Sequence, residues 1–254
     1  MEGIEIHETA VVSHSAEFEK NVCIGPYSVI GDGVKIGSGT EVGAYAQLDG
    51  PAEIGENNFF GQGVSVGLPP QSTDYDKKNC SLYIGDGNQI RDFASIHRGP
   101  VEDGGTVIGN NNVLQLYSHV AYSCKLGNNI FLDNSVNLAS NVEISDDVYC
   151  GKLSGIHQYV RLGRLSYVEN HTKVNKDVPP FIKVMGHPAS VQGLNKSGLS
   201  EEEKERLKKL YSLIFEGSNN IGQAVSMIKK RMCIDGVVEE FLTFLKDSNR
   251  GICT

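Results

Sequence analysis

Residues 24–43 read Ile24-Gly25-Pro26-Tyr27-Ser28-Val29-Ile30-Gly31-Asp32-Gly33-Val34-Lys35-Ile36-Gly37-Ser38-Gly39-Thr40-Glu41-Val42-Gly43. An aliphatic residue falls at every sixth place, and a glycine follows it each time. A helix repeats about every 3.6 residues and an ordinary strand about every 2, so neither makes this pattern. A coil with flat sides of six residues does, with its apolar residue pointing inward from each side. The glycine after that residue is expected to let the corner turn without a Cβ clash.

The period extends outward in both directions. It runs back through Phe18 and Val12 to Ile6, and forward through Leu48, Ile54 and Phe60 to Val66. It resumes at Ile84, Ile90 and Ile96. It then runs unbroken from Ile108 through Leu114, Val120, Leu126, Leu132, Leu138, Ile144, Cys150, Ile156, Leu162 and Val168 to Val174. Three sides close one triangular coil of about eighteen residues. Coils stack about 4.8 Å apart, so roughly ten of them build a prism near 45 Å long. The fold class is mainly β: a parallel β-helix of hexapeptide repeats with a C-terminal α-helical tail.

Ser72, Lys78 and Glu102 are out of pattern. The first two fall in residues 68–83, which are polar and hold two prolines, and the third in residues 100–105. Both stretches are expected to leave the prism and return in phase. Loops held out from a rigid scaffold tend to carry binding contacts, although a plain surface excursion would look the same. The β-helix is expected over 1–183, ending near Asp177-Val178-Pro179-Pro180, because consecutive prolines cannot continue the ladder. An irregular link follows over 184–199, then a helical domain over 200–254. Ser200 and Glu203 form a capping box. Leu207, Leu210, Tyr211 and Ile214 make a helical apolar face, and Gly217-Ser218-Asn219 ends that helix. Two more helices are expected near residues 221–232 and 236–246.

The chain carries a formal charge of −8, a poor match to nucleic acid or an anionic membrane. No apolar run reaches the roughly 20 residues of a membrane span. The N-terminus lacks the basic start and apolar core of a signal peptide, so a cytoplasmic location is expected. Six cysteines, at 23, 80, 124, 150, 233 and 253, show no CxxC spacing and are expected as small buried hydrophobes. No metal site is expected. His7 and His14 lie far from the other histidines, and the position five after His119 is Cys124, where a metal-binding prism often has a second histidine.

Several segments are similar to the UDP-N-acetylglucosamine acyltransferase family. They are Ile96-His97-Arg98-Gly99, Ser118-His119-Val120-Ala121, His157-Gln158, Asp177-Val178-Pro179-Pro180-Phe181, Gly193-Leu194-Asn195 and Arg250-Gly251-Ile252. The resemblance implies left-handed prisms assembled as a homotrimer, with sites in the grooves between neighbours. It implies no permanently bound cofactor. The donor would be an acyl-phosphopantetheine thioester on acyl carrier protein or coenzyme A, and the acceptor a small molecule.

The family's motif residues carry over unevenly. Its catalytic stretch reads His-Ile-Ala-His-Asp-Cys, with the second His as general base. Here the same stretch is His119-Val120-Ala121-Tyr122-Ser123-Cys124, so Tyr122 stands at the base and Ser123 at the acid beside it. The Gly-His pair one coil on, whose Gly amide serves as oxyanion donor, is Ser140-Asn141. His157 and Gln158 match the family. Asn170 stands where the family has the Gly that bounds the acyl pocket. In the first loop, Ser72 and Asp74 replace an Asp and a Lys that hold substrate. Asn195 matches, but Glu201 and Glu202 stand near where arginines meet the nucleotide phosphate.

Tyrosine has a reference pKa near 10, so about one in a thousand is phenolate at pH 7. General base catalysis contributes about 10²- to 10⁴-fold, and an unassisted tyrosine would forfeit most of it. Residues eighteen apart stack on such a prism. Tyr122, Ser140 and Gln158 form one column, and His119, Asn137, Gly155 and Lys173 another. His119 is the nearest surviving imidazole and a candidate substitute base, though a structural histidine in the groove wall is the plainer alternative. Both positions 122 and 123 are expected on a solvent-facing wall. Three functions stay open: an acyltransferase with altered chemistry or acceptor, an inactive homologue acting as a binding or regulatory module, and the family's own O-acyltransferase with an atypical base.

Overall fold

The computed structural model describes residues 3–72, 79–217 and 220–254. Two- to five-residue strands wind into three parallel sheets of 11, 9 and 9 strands, one per side of a left-handed β-helix of about ten turns. Each strand pairs with the one a full turn away, as in Phe131↔Tyr149, His119↔Asn137 and Lys125↔Glu143. The hexapeptide residues from Ile24 to Val174 that lie in strands are buried and stack into one continuous core. Ile6, in the first turn, is 44% exposed because no coil covers that end.

The role of the glycines differs from the expected one. Most glycines after the inward residue do not turn the corner. The residues at positive φ come two places later: Tyr27 at 59°, Gly33 at 69°, Gly39 at 69° and Tyr45 at 57°. The glycines serve close approach between coils. A Cβ on Gly109 would lie 2.5 Å from the carbonyl oxygen of Gly127 in the next coil. Left-handed corners are costly for bulky residues. Rings held there stack on one another, Tyr27 on Tyr45 at 5.1 Å and Phe93 on Tyr117 at 5.3 Å.

The two excursions return in phase, with Leu82↔Thr106 and Ile84↔Ile108 in register. They also meet each other. Cys80–Ile84 pairs antiparallel with Gly99–Pro100, and the Val101 amide donates to the Asn79 carbonyl at 2.9 Å. Lys78 and Asp74 lie outside the described residues, as do Ser218 and Asn219.

The stretch expected as an irregular link is partly ordered into sheet. After the prolines the chain rejoins the first sheet as Ile182–Met185, parallel to Tyr167–Val168, and turns back as Ser190–Leu194 in an antiparallel pair. This hairpin closes the lower end of the prism and satisfies edge amides that the prolines alone would leave open. The tail helices are α1, Glu201–Tyr211, α2, Ile221–Arg231, and α3, Gly236–Lys246. Ser200 caps α1 in a complete capping box, and α1 runs on into a π turn, Ser212–Glu216. Arg164 grips Glu240 of α3 with Nη2 at 2.8 Å, and Arg161 lies over the Phe244 ring at 4.5 Å.

Four cysteines are buried and free, but Cys233 is exposed and Cys23 half-buried, since both fall outside inward positions. Burial pushes the Cys150 thiol up to about 12.

Candidate active site

The second sheet carries an outward column that runs Ser65, Ser95, His119, Asn137, Gly155, Lys173. The eighteen-residue rule found its lower four members. It missed Ser95, which is 24 residues before His119 because the second excursion lengthens that coil. The signal was present in the phase break at Glu102.

Ser95 Oγ lies 2.8 Å from His119 Nδ1. The His97 ring meets His119 edge-on at 5.3 Å and donates from Nδ1 to the Pro69 carbonyl at 2.6 Å. Half-burial, and then the neighbouring His97, hold the His119 imidazole below the usual histidine range. It is therefore neutral at pH 7, and in the tautomer whose Nδ1 donates to Ser95 Oγ the Nε2 lone pair is the one able to accept a proton. The residue after His97 is also tied down. Arg98 is buried, with Nη1 at 2.7 Å from the Gly67 carbonyl and 3.0 Å from Asp49 Oδ2.

Tyr122 and Ser123 occupy the corner between the second and third sheets. The solvent-facing expectation fails for Ser123, which is only 3% exposed, and Tyr122 is half-buried. The second excursion covers Ser123. Its Gly99 lies so close that a Cβ would sit 2.6 Å from the Ser123 amide nitrogen. Ser123 Oγ donates to Asp103 Oδ2 at 3.2 Å, and Lys125 Nζ donates to the Gly104 and Gly105 carbonyls at 2.6 and 3.0 Å. Asp103 and Ser95 escaped the sequence reading, and His97 entered it only as part of a matching segment with no role of its own.

One coil down, the Asn141 amide donates to the Tyr122 carbonyl at 3.1 Å and that of Ala139 to Ile156. At comparable corners the amide between such residues meets an Asn or Asp of the next coil, as Asn110 meets Asn128 Oδ1 at 2.8 Å. Ser140 has Gln158 there instead, and its amide makes no such bond among the described residues. Gly155 leaves a notch in the wall, with nothing within 4 Å of where its Cβ would be.

The remaining candidates are dispersed. His157 and Gln158 are exposed one coil further on, and His157 Nδ1 lies 3.3 Å from Arg250 Nη2. Asn170 is on the opposite edge of the second sheet, where its Oδ1 accepts from the Lys152 amide at 3.1 Å. Asn195 is buried below. Its Nδ2 donates to the Leu165 carbonyl at 2.9 Å and its Oδ1 accepts from the Ser197 hydroxyl at 2.9 Å, so the side chain ties the hairpin to the prism. Ser72 is half-buried at the mouth of the first excursion. Glu201 pairs with Lys204 at 2.7 Å and Glu202 with Arg206 at 2.5 Å, so neither acid stands alone. Among the described residues, no three His, Cys, Asp or Glu side chains converge as metal ligands.

A hexapeptide β-helix with a histidine-bearing groove and a helical tail defines the hexapeptide transferase class, and residues 15–50 match the bacterial transferase hexapeptide profile. Residues 177–253 match the profile described as Udp N-acetylglucosamine O-acyltransferase, Domain 2. The chain is 38% identical over 255 residues to the acyl-[acyl-carrier-protein]–UDP-N-acetylglucosamine O-acyltransferase of Thermodesulfovibrio yellowstonii, covering 98% of this chain and 99% of that one. It superposes on LpxA from Acinetobacter baumannii with a TM-score of 0.94 at 35% identity, over 98% and 99% of the two chains. The UDP-N-acetylglucosamine acyltransferase of Francisella novicida gives 0.92 at 34% identity, over 98% and 93%. The chain belongs to the UDP-N-acetylglucosamine O-acyltransferase family.

Proposed function

We propose that the chain transfers an acyl group from an acyl-phosphopantetheine thioester to a small acceptor, with His119 as the base in place of the residue at 122. The observation that carries this reading is the Ser95–His119 hydrogen bond, which orients a neutral imidazole along the groove wall. The acceptor's hydroxyl or amine gives its proton to Nε2 as its heteroatom attacks the thioester carbonyl. The carbonyl oxygen takes the negative charge and accepts from the Ser140 amide. Collapse breaks the C–S bond, and the thiolate leaves with the proton from the imidazolium. An amine would demand less of the base than a hydroxyl. Mass spectrometry of transfer from a panel of carrier-protein and coenzyme A thioesters tests this. His119→Asn should lower transfer by about 10²- to 10⁴-fold. Absence of transfer by the unaltered chain to any acceptor would favour a binding or regulatory module.

A second reading has UDP-N-acetylglucosamine itself as acceptor. It is favoured by the pairing of Glu201 and Glu202 with Lys204 and Arg206, which removes the uncompensated negative charge from the nucleotide's path. Calorimetry with UDP-N-acetylglucosamine separates the two: micromolar affinity selects the second reading, weak or absent binding the first.

The working unit is proposed to be a cytoplasmic homotrimer that engages acyl carrier protein. Along the first sheet, Val113, Phe131, Tyr149 and Tyr167 form a half-buried outward column, with rings stacked at 5.5 and 4.5 Å, suited to burial against a neighbouring prism. Light scattering at micromolar concentration should give three times the chain mass. No helix among the described residues is long and apolar enough to cross a membrane.

A further inference from the structure

The outward column of the third sheet reads Glu17, Lys35, Glu53, Tyr83, Val107, Lys125, Glu143, Arg161, in unbroken register from rung to rung. In charge it runs minus, plus, minus, then two uncharged residues, then plus, minus, plus. Every one of these side chains is exposed or half-buried. Arg161 keeps 28% of its side chain exposed although Phe244 of α3 lies over it at 4.5 Å. Acids and bases balance along the column, whereas the whole chain carries −8. The outward columns of the other sheets lack this order. The first has Glu5, Glu41 and Lys183, and the second only Lys173.

The order is antisymmetric about the centre between Tyr83 and Val107. Two copies laid face to face, with their prisms running in opposite directions, share a two-fold axis at that centre. Every acid then meets a base of the other copy: Glu17 meets Arg161, Lys35 meets Glu143 and Glu53 meets Lys125. Tyr83 meets Val107. Alternation along one column also serves pairing between neighbouring rungs, and the outer charges do pair that way. Lys35 lies 3.9 Å from Glu17, and Arg161 Nε 3.4 Å from Glu143. The inner charges do not. No ion pair among the described residues includes Glu53. Lys125 gives its ammonium to the Gly104 and Gly105 carbonyls, not to a carboxylate. These two are the charges that meet nearest the axis.

The face is also shaped for close contact. Gly37, Gly55, Gly85, Gly109 and Gly127 follow its strands in successive coils, so no side chain on that edge holds a partner away. Beside the centre, a cavity of about 460 Å³ between Pro51, Tyr83, Gly104 and Val107 has room for the facing Tyr83 ring. A face about 34 Å long and about 15 Å wide covers roughly 500 Å² per copy. A total near 1,000 Å² is about the lower limit for a specific contact, so the association is weak and sensitive to salt.

We propose that the third sheet is a self-complementary docking face, on which a second copy of this chain seats in antiparallel orientation. In the proposed trimer the first and second sheets are taken up by the neighbouring prism and the groove. The third is free there, as it is in a single chain.

Sedimentation velocity on the full chain tests this at about 0.1 M and about 1 M salt, where the screening length falls from about 10 Å to about 3 Å. Raising the concentration at low salt should give a species of twice the basal mass, whether the basal unit is one chain or three. High salt should dissolve it. Glu53→Lys and Lys125→Glu should each weaken the doubling about tenfold or more, because the two-fold axis repeats each like-charge contact. A mixture of these two variants should recover it, since lysines then face glutamates across the axis. No effect within one chain produces that recovery. Lys125→Glu also releases the Gly104 and Gly105 carbonyls, so Lys35→Glu mixed with Glu143→Lys repeats the experiment away from the excursion. An unaltered chain that stays at its basal mass overturns the proposal. So does doubling that resists salt and charge reversal, or failure of both mixtures to recover it.

Discussion

The Ser123 hydroxyl donates to a carboxylate oxygen of Asp103 at 3.2 Å, across 20 positions of sequence. A carboxylate thus reaches this corner from the second excursion. It holds the loop Val101–Gly104 against the corner together with Lys125.

This contact makes Ser123→Asp a charged clash, not a repair. Two carboxylates within hydrogen-bond reach cannot both ionise cheaply, so one is held protonated with a raised pKa. Ser123→Asp should lose about 1–3 kcal/mol of stability at pH 7.5. It should regain most of it at pH 5 or when combined with Asp103→Asn. Urea unfolding at the two pH values measures both. Tyr122→His combined with Ser123→Asp is expected to gain no UDP-N-acetylglucosamine acylation, because an imidazole without an oriented acceptor gains nothing. A gain of 10²-fold or more would show that only the base had been lost.

The depressed His119 imidazole sets a pH dependence. Its folded pKa lies below the unfolded value near 6.5, through burial and then His97. The unfolded chain therefore binds more protons as pH falls through that region. The stabilising contribution is present above about 6.5 and is lost as pH falls toward the folded pKa. His119→Gln should flatten the stability profile over this window. In the intact chain, an NMR titration should place the His119 midpoint below that of a free histidine. Acyl transfer should keep its rate to a lower pH than an unperturbed histidine would allow.

Two glycines should behave in opposite ways. Gly109→Ala puts a methyl group 2.5 Å from the Gly127 carbonyl oxygen and should cost about 1–3 kcal/mol by forcing two coils apart. Gly155→Ala meets nothing within 4 Å and should leave melting unchanged. Gly155→Leu should fill the groove notch and lower acyl transfer while the fold persists. Melting curves and transfer assays on the three variants separate packing from access.

Asp177→Ala should release the chain end. It deletes the acceptor of the Arg161 amide at 2.9 Å and of Ser248 Oγ at 2.7 Å, both in a buried setting. Hydrogen bonds to a charged group contribute about 1.5–3 kcal/mol each. Amide hydrogen exchange at Gly251–Cys253 should accelerate well before exchange in the prism strands. Uniform acceleration throughout would mean that the end is not a separate unit.

The sequence by itself determined the β-helix, its period, its length, the two excursions and the three tail helices. Each of those rests on a local rule, an inward apolar residue every sixth place or a cap at a helix start, repeated until chance is excluded. It also led to the expectation that Tyr122 stands where the family has its general base. It misread the glycines, because their role depends on the neighbouring coil and not on the turn they precede. Only the tertiary structure brought Ser95 and His97 to His119, Asp103 to Ser123, and Arg250 to His157. Those meetings depend on how much chain each excursion adds to a coil and on where Asp177 pins the end. Neither quantity is periodic, so no stacking rule read along the sequence can supply it.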